Sequence, residues 1–165
     1  ELMRTDLQPV DMQKMFAEMI DVYRGAQLPK TDVRIELNVH GKGPFRALVH
    51  DGRLGQVFRN LIDNAISFSP PGGVIEIQLV RDGGSVIVTV EDQGPGIPDN
   101  RLEAVFDRFY SERPEGERFG THSGLGLSIA RQIVETYRGT IIAANRRDEK
   151  GKVTGARFTV TLPVA

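Results

Sequence analysis

Asn60 and Asn64 stand four residues apart within a run of apolar residues at helical spacing: Leu54, Val57, Phe58, Leu61, Ile62 and Ala65. At about 100° per residue the apolar stripe centres near Leu61 and Ala65, and Asn60, Asn64 and Ser67 fall together on one flank. Asparagine is a mediocre helix former, so two on one ridge suit work with a ligand. The amide oxygen can ligate a hard cation such as Mg²⁺, and the amide can hydrogen-bond water or phosphate. The same pair also fits a solvated helix face. A second group is Glu91-Asp92-Gln93-Gly94-Pro95-Gly96-Ile97-Pro98, where a buried type of strand runs into Asp-x-Gly-x-Gly. A carboxylate at a strand end, beside backbone cleared of side chains, can accept a hydrogen bond from an exocyclic amine. Adenine offers that donor, whereas guanine presents a carbonyl there. An Asp-capped turn punctuated by proline fits the octapeptide equally well. Third, Ser123-Gly124-Leu125-Gly126-Leu127 opens a helix whose unpaired N–H groups and positive dipole end suit phosphate. Glycines there also simply permit close packing.

Composition narrows the remaining chemistry. The 165 residues carry 21 Lys+Arg against 22 Asp+Glu, a formal charge of -1, which argues against bulk binding of a phosphate backbone. With no cysteine, disulfide scaffolds, thiolate zinc sites and cysteine nucleophiles are excluded. His40, His50 and His122 are too scattered for the usual catalytic zinc set. No stretch approaches the roughly 20 apolar residues of a membrane-spanning helix, and no charged-then-apolar leader opens the chain, so a segment that neither spans nor enters a membrane is expected. Glycine and proline gather between residues 70 and 126, where backbone must approach something closely.

The elements that must position these groups follow from periodicity. Met12, Met15, Phe16, Met19, Ile20 and Tyr23 predict an amphipathic helix capped by Asp11, stapled by Val10 onto Met15, and ending at Gly25. Alternation over Val33, Ile35, Leu37 and Val39 predicts a strand, followed by a Gly/Pro loop. The Asn helix starts near Asp51 and is stopped by Pro70-Pro71-Gly72-Gly73. Strands through Ile75–Leu79 and Val86–Val90 flank an Asp-Gly hairpin. Residues 94–123 read as loop, interrupted by a short apolar piece with Leu102, Val105, Phe106 and Phe109; so long a loop in a compact domain is usually functional. A third helix from near Gly124 ends at Gly139, and strands at Ile141–Ala144 and Arg157–Leu162 close the chain. The mixture predicts α+β, helices layered on one face of a mixed sheet, in one domain.

Taken in order, Asn60/Asn64, Asp92-Gly94-Gly96, Phe106-Asp107-Arg108-Phe109-Tyr110, Gly124-Leu125-Gly126-Leu127 and Gly155-Phe158 resemble the N, G1, F, G2 and G3 boxes of the catalytic and ATP-binding domain of bacterial two-component sensor histidine kinases. That domain, HATPase_c, belongs to the GHKL superfamily with DNA gyrase, Hsp90 and MutL; the Phe-Asp-Arg-Phe-Tyr box and the short lid favour the kinase branch. The resemblance covers nearly the whole chain. It implies a two-layer α/β sandwich (Bergerat fold), with a five-stranded mixed sheet packed on three main helices, and ATP between the Asn helix and a mobile lid. By position, Asn64 would ligate Mg²⁺, and Asn60 would stand where gyrase-like relatives place a catalytic glutamate. Asp92 would bind the adenine amine, with Gly94 and Gly96 beside it. Phe68 and Ile97 would line the base, and Gly124, Leu125, Gly126 and Leu127 would cover the phosphates. Phe109 and Tyr110 would belong to the ATP site, and Arg108 would approach the γ-phosphate.

An amide at position 60 cannot act as a general base, so the resemblance implies poor activation of water and transfer of the γ-phosphoryl to another nucleophile. Two positions depart from the pattern. Ser67 stands where a basic residue commonly follows the second Asn, and no glycine occupies position 121 or 123, although Gly120 offers hinge freedom. The family's acceptor is a histidine on a separate helical hairpin that serves for dimerisation, and none of the three histidines here has that setting. The resemblance therefore implies a fragment, residues 1–165, whose acceptor hairpin and sensor parts lie N-terminal to it. Such a fragment would bind Mg-ATP as a monomer without phosphorylating itself. It would be the cytoplasmic part of an inner-membrane kinase that is a homodimer and feeds a response regulator, with no nucleic acid partner. A gyrase-type ATPase is disfavoured by Asn60; a serine/threonine kinase of the anti-sigma type and a nucleotide-sensing module without transfer stay open.

Overall fold

The computed structural model of the protein describes residues 7–26, 32–108 and 126–165. Its elements, in chain order, are β1 (Gln8–Asp11), α1 (Met12–Gly25), β2 (Arg34–His40), β3 (Arg46–Val49), α2 (Asp51–Phe68), β4 (Val74–Asp82), β5 (Ser85–Glu91), 3₁₀ turns at Asp99–Arg101 and Ala104–Phe106, α3 (Gly126–Thr136), β6 (Thr140–Arg147) and β7 (Val153–Pro163). Five strands form one mixed sheet in the order β2-β4-β5-β7-β6. The β2–β4 pair is parallel and the others antiparallel. The expected α+β sandwich, three helices on a five-stranded sheet, is the architecture found.

Period-two alternation decides which sheet face is buried. Ile75, Ile77 and Leu79 of β4, Val86, Val88 and Val90 of β5, and Phe158, Val160 and Leu162 of β7 all point to one side and are buried. Against them lie Met12, Phe16 and Ile20 of α1, Leu54, Val57, Phe58, Leu61, Ile62 and Ala65 of α2, and Ala130, Ile133 and Val134 of α3. Phe16 meets Phe58 edge to face, with ring centroids 4.7 Å apart, and so locks α1 to α2. Asp11 caps α1 as its position predicts, Oδ1 accepting from Lys14 N–H at 3.2 Å.

Four expectations are corrected. Residues 46–49 are not loop: β3 pairs antiparallel with β1, which the sequence reading also lacked, and Ala47 bridges to Val164. Four-residue strands are too short to display alternation, and their partners lie far along the chain. The last two strands are longer than expected, each extending toward the turn at Asp148–Gly151. The hairpin's two turn residues are Gly83 and Gly84, because Asp82 pairs with Ser85. α3 ends at Thr136, short of the expected Gly139, and Gly139 does not supply the left-handed residue that follows it. Arg138 does, at φ 62, with Arg138 N–H bonded to Glu135 C=O and Gly139 N–H to Val134 C=O in a Schellman arrangement. Gly139 is needed for closeness instead, since a Cβ there would lie 2.4 Å from Thr161 O.

Candidate functional site

Asp92 follows the last residue of β5, and its N–H extends the ladder to β7 by donating to Ala156 C=O at 3.0 Å. Its side chain is buried, with 2% of the residue exposed. Oδ1 accepts two backbone donors, Gly94 N–H at 2.8 Å and Ala156 N–H at 3.1 Å. Both bonds fall on one oxygen, and among the described residues no hydrogen-bond donor meets Oδ2, which leaves it for an incoming donor. Burial pushes the Asp92 carboxyl above its ordinary value and Glu91 adds to that; the two N–H bonds and Arg146 oppose it without cancelling it. An N–H donor from a ligand would relieve that cost.

Close approach explains the glycines around it. A Cβ on Gly94 would sit 2.6 Å from Phe68 O, so this glycine lets the Asp92 turn rest on the end of the Asn helix. A Cβ on Gly155 would meet Asp92 O at 1.9 Å, so the last glycine of the motif set lets β7 lie against the Asp92 backbone. Gly96 has φ 79, and a Cβ there would strike Val153 and Asn145. Ile97 is half-buried against the core.

On α2, Asn60, Asn64, Ser67 and Phe68 are all half-buried, the flank that the helical wheel predicts. Asn60 Nδ2 donates to Gly126 C=O at 3.0 Å and so joins the Asn helix to α3. Gly126 and Leu127 thus come to the same place as Asn60. Arg108 is exposed. Phe109, Tyr110, Gly124 and Leu125 lie outside the described residues, as do Gly120, Thr121, His122 and Ser123. His50 is the N-cap of α2, its Nδ1 accepting from Arg53 N–H at 3.3 Å, and His40 is exposed at the end of β2. Among the described residues no cluster of three or more His, Asp or Glu could cage a metal ion. A single amide oxygen such as Asn64 Oδ1 suits Mg²⁺ that arrives on a polyphosphate and keeps most of its waters.

Sequence reasoning missed several supports. Gln93 Oε1 accepts from Val74 N–H at 2.9 Å, tying the turn to the start of β4. Glu91 is buried and bonded by Gln78 and by Arg157, with Arg146 at 3.6 Å. Asn145 grips Ile97. An asparagine in a strand is an unfavourable choice, and that was the one signal available for Asn145.

Residues 49–165 match the family described as histidine kinase-, DNA gyrase B-, and HSP90-like ATPase. The chain belongs to that family. Within it, the chain is 42% identical to the sensor protein ChvG of Rhizobium meliloti (strain 1021) over 99% of its own length, and 42% identical to ChvG of Agrobacterium fabrum over all of it. It spans only 29% and 28% of those two proteins. Among solved structures, the mycobacterial sensor histidine kinase MprB superposes with a TM-score of 0.79 at 30% identity, covering 95% of this chain and 97% of that one. The catalytic domain of histidine kinase ThkA does so at 0.79 and 25%, covering 95% of each. This ATPase-family domain is thus of the sensor histidine kinase type, with the fold and family that its boxes resemble.

Proposed function

We propose that the chain is the Mg-ATP-binding catalytic domain of a sensor histidine kinase, forming one domain over residues 1–165, which hands the γ-phosphoryl group to a histidine on a separate dimerisation domain and so feeds a response regulator. The observation that carries this reading is Asp92: a buried carboxylate with one oxygen held by two backbone N–H groups and the other left for a donor, beside the end of the Asn helix. Adenine's exocyclic amine supplies such a donor, whereas guanine presents a carbonyl at the same ring position. Phe68 and Ile97 line the base, Gly94 and Gly96 let the Asp92 turn pack closely beside it, and Asn64 meets Mg²⁺ on the phosphates. Gly124, Leu125, Gly126, Leu127, Phe109 and Tyr110 complete the nucleotide site, with Arg108 toward the γ-phosphate. Asn60 offers an amide in place of a base, so the chain's residues orient the triphosphate without activating water, and the nucleophile comes from the partner domain.

Chains of the same fold give precedent: full-length ShkA has been solved in complex with AMPPNP, and ThkA with the response regulator protein TrrA. No helix among the described residues is long and apolar enough to cross a membrane. As a domain of this kinase type it would work on the cytoplasmic side of an inner-membrane sensor that is itself a homodimer, the isolated domain being a monomer.

The test is calorimetric titration with ATP, ADP and GTP, with and without Mg²⁺, followed by incubation with labelled ATP and a supplied acceptor hairpin. The expected result is preference for adenine nucleotides, acid-labile phosphate on the hairpin, and none on this chain. GTP bound as tightly as ATP would remove the role given to Asp92. Acid-stable phosphate on a serine or threonine of a partner would favour an anti-sigma type of kinase, and nucleotide binding without transfer would favour a sensing module.

A further inference from the structure

β6 ends beside the turn that follows Asp92, and two consecutive residues of this strand hold that turn from opposite faces of the sheet. Alternation places Asn145 on the face of buried Ile141, which carries the helices, and Arg146 on the other. Arg146 Nη1 donates to Asp92 C=O at 3.2 Å. Asn145 grips the next part of the turn more completely. Its Oδ1 accepts from Ile97 N–H at 2.7 Å and its Nδ2 donates to Ile97 C=O at 2.7 Å. One side-chain amide thereby closes both backbone groups of a single residue, as a neighbouring strand would. The other Nδ2 hydrogen goes to Asp99 Oδ1 at 3.2 Å, and Arg147 braces Asp99 at 3.0 and 3.1 Å. Gly96 makes room for this contact, since a Cβ there would come within 2.7 Å of Asn145 Oδ1.

We propose that Asn145 is a positioning residue for the purine: by fixing both backbone groups of Ile97, it holds that side chain as one wall of the base crevice beside Asp92. The inference rests on the ATP reading of the site. It assigns to β6, which no motif singles out, part of the choice of base. Asn145 touches the turn and not the phosphates, so its loss acts on the adenine end, which ATP and ADP share.

The test compares nucleotide titrations of the 165-residue chain and its Asn145→Ala variant, at a temperature where circular dichroism shows both folded. The expected result is a loss of affinity on the order of tenfold, the same for ATP and ADP and the same with or without Mg²⁺, with a smaller loss for GTP so that the preference for adenine falls. Asp99→Ala, which keeps both bonds to Ile97, is expected to bind ATP within about twofold of the parent. If Asn145→Ala melts too low to assay, Asn145→Ser, which keeps one small polar group at the position, is read in the same way. A folded Asn145 variant that binds ATP like the parent overturns this inference alone, as does an equal loss for ATP and GTP. A parent chain that binds no ATP overturns the site reading and this inference with it.

Discussion

Asp92 is the residue at which stability and binding oppose each other. Its folded value lies above the ordinary 3.8, chiefly through burial. The folded state therefore keeps this proton to higher pH than the unfolded chain does. The stabilising contribution is complete below about 3.8 and is lost as pH rises through the folded value. Above the folded value the unliganded protein carries an ionised group that its surroundings disfavour. Asp92→Asn keeps an Oδ1 for Gly94 and Ala156 and removes the charge. We expect its melting temperature without ligand to equal or exceed the parent's, with the gap widening as pH rises from about 3.8 through the folded value of Asp92. Its ATP affinity is expected to fall about tenfold to a hundredfold, because a charge-assisted bond is worth roughly 1.5–3 kcal/mol. Melting curves across pH, together with calorimetry, check both. Asn64→Ala separates metal from fold in a similar way. The residue is half-buried on a helix flank, and alanine is the better helix former, so stability is expected to hold or rise slightly. The gain in ATP affinity on adding Mg²⁺ is expected to disappear. An unfolded Asn64→Ala, with no loss of metal coupling in any folded fraction, would return the pair to a structural role.

At the scale of elements, the site depends on how closely β5 and β7 run. The register sets Glu91 against Arg157, and the bond from Asp92 N–H to Ala156 continues the pairing past the end of β5. Gly155 is where this contact tolerates no side chain, because its Cβ would overlap Asp92 O. Gly155→Ala is expected to destabilise the protein by about 2–3 kcal/mol, the range for overpacking a tight site. It should also weaken ATP binding, since the displaced carbonyl belongs to Asp92. Gly84→Ala is the control, with nothing within 4 Å of the added carbon and an expected change within about 0.5 kcal/mol. Urea midpoints measure both, and equal midpoints for the two variants would show that the strands separate without cost.

At the scale of the molecule, one core serves every layer, and the described chain ends are drawn together. β1 pairs with β3, Ala47 bridges Val164, and Ala165 N–H donates to Arg46 C=O. Tyrosines join the helices at two places. Tyr23 OH on α1 donates to Asp63 on α2 at 2.7 Å, and burial together with Asp63 pushes its phenol well up. Tyr137, just past α3, accepts from His50 N–H at the start of α2 at 3.2 Å. With no tryptophan in the chain, tyrosine emission of a Tyr110→Phe variant reports on these helix junctions, while far-UV circular dichroism reports on the sheet and helices together. A shared core predicts that the two urea curves coincide. Separate midpoints would show that the helical layer comes away from the sheet before the sheet unfolds.

The parts legible in the sequence were those whose signal is local. Helical spacing set out α1 and α2, alternation set out β2, β4 and β5, and the spacing of Asn60, Asn64, Asp92 and the glycines marked the candidate site. β1 and β3 were hidden, because Gln8 pairs with Val49 across a helix and a strand, and four residues display no period. The clamp of Asn145 on Ile97 was hidden for the same reason, since its partner lies 48 positions away. The sequence by itself determined which residue types were at hand and which faces had to be buried, as hydrophobic pattern and turn chemistry act between near neighbours. Only the tertiary structure decided that both backbone donors meet one oxygen of Asp92, that Gly155 must lack a side chain, and that a strand amide steadies the turn, as each depends on atoms that meet only once the sheet is assembled.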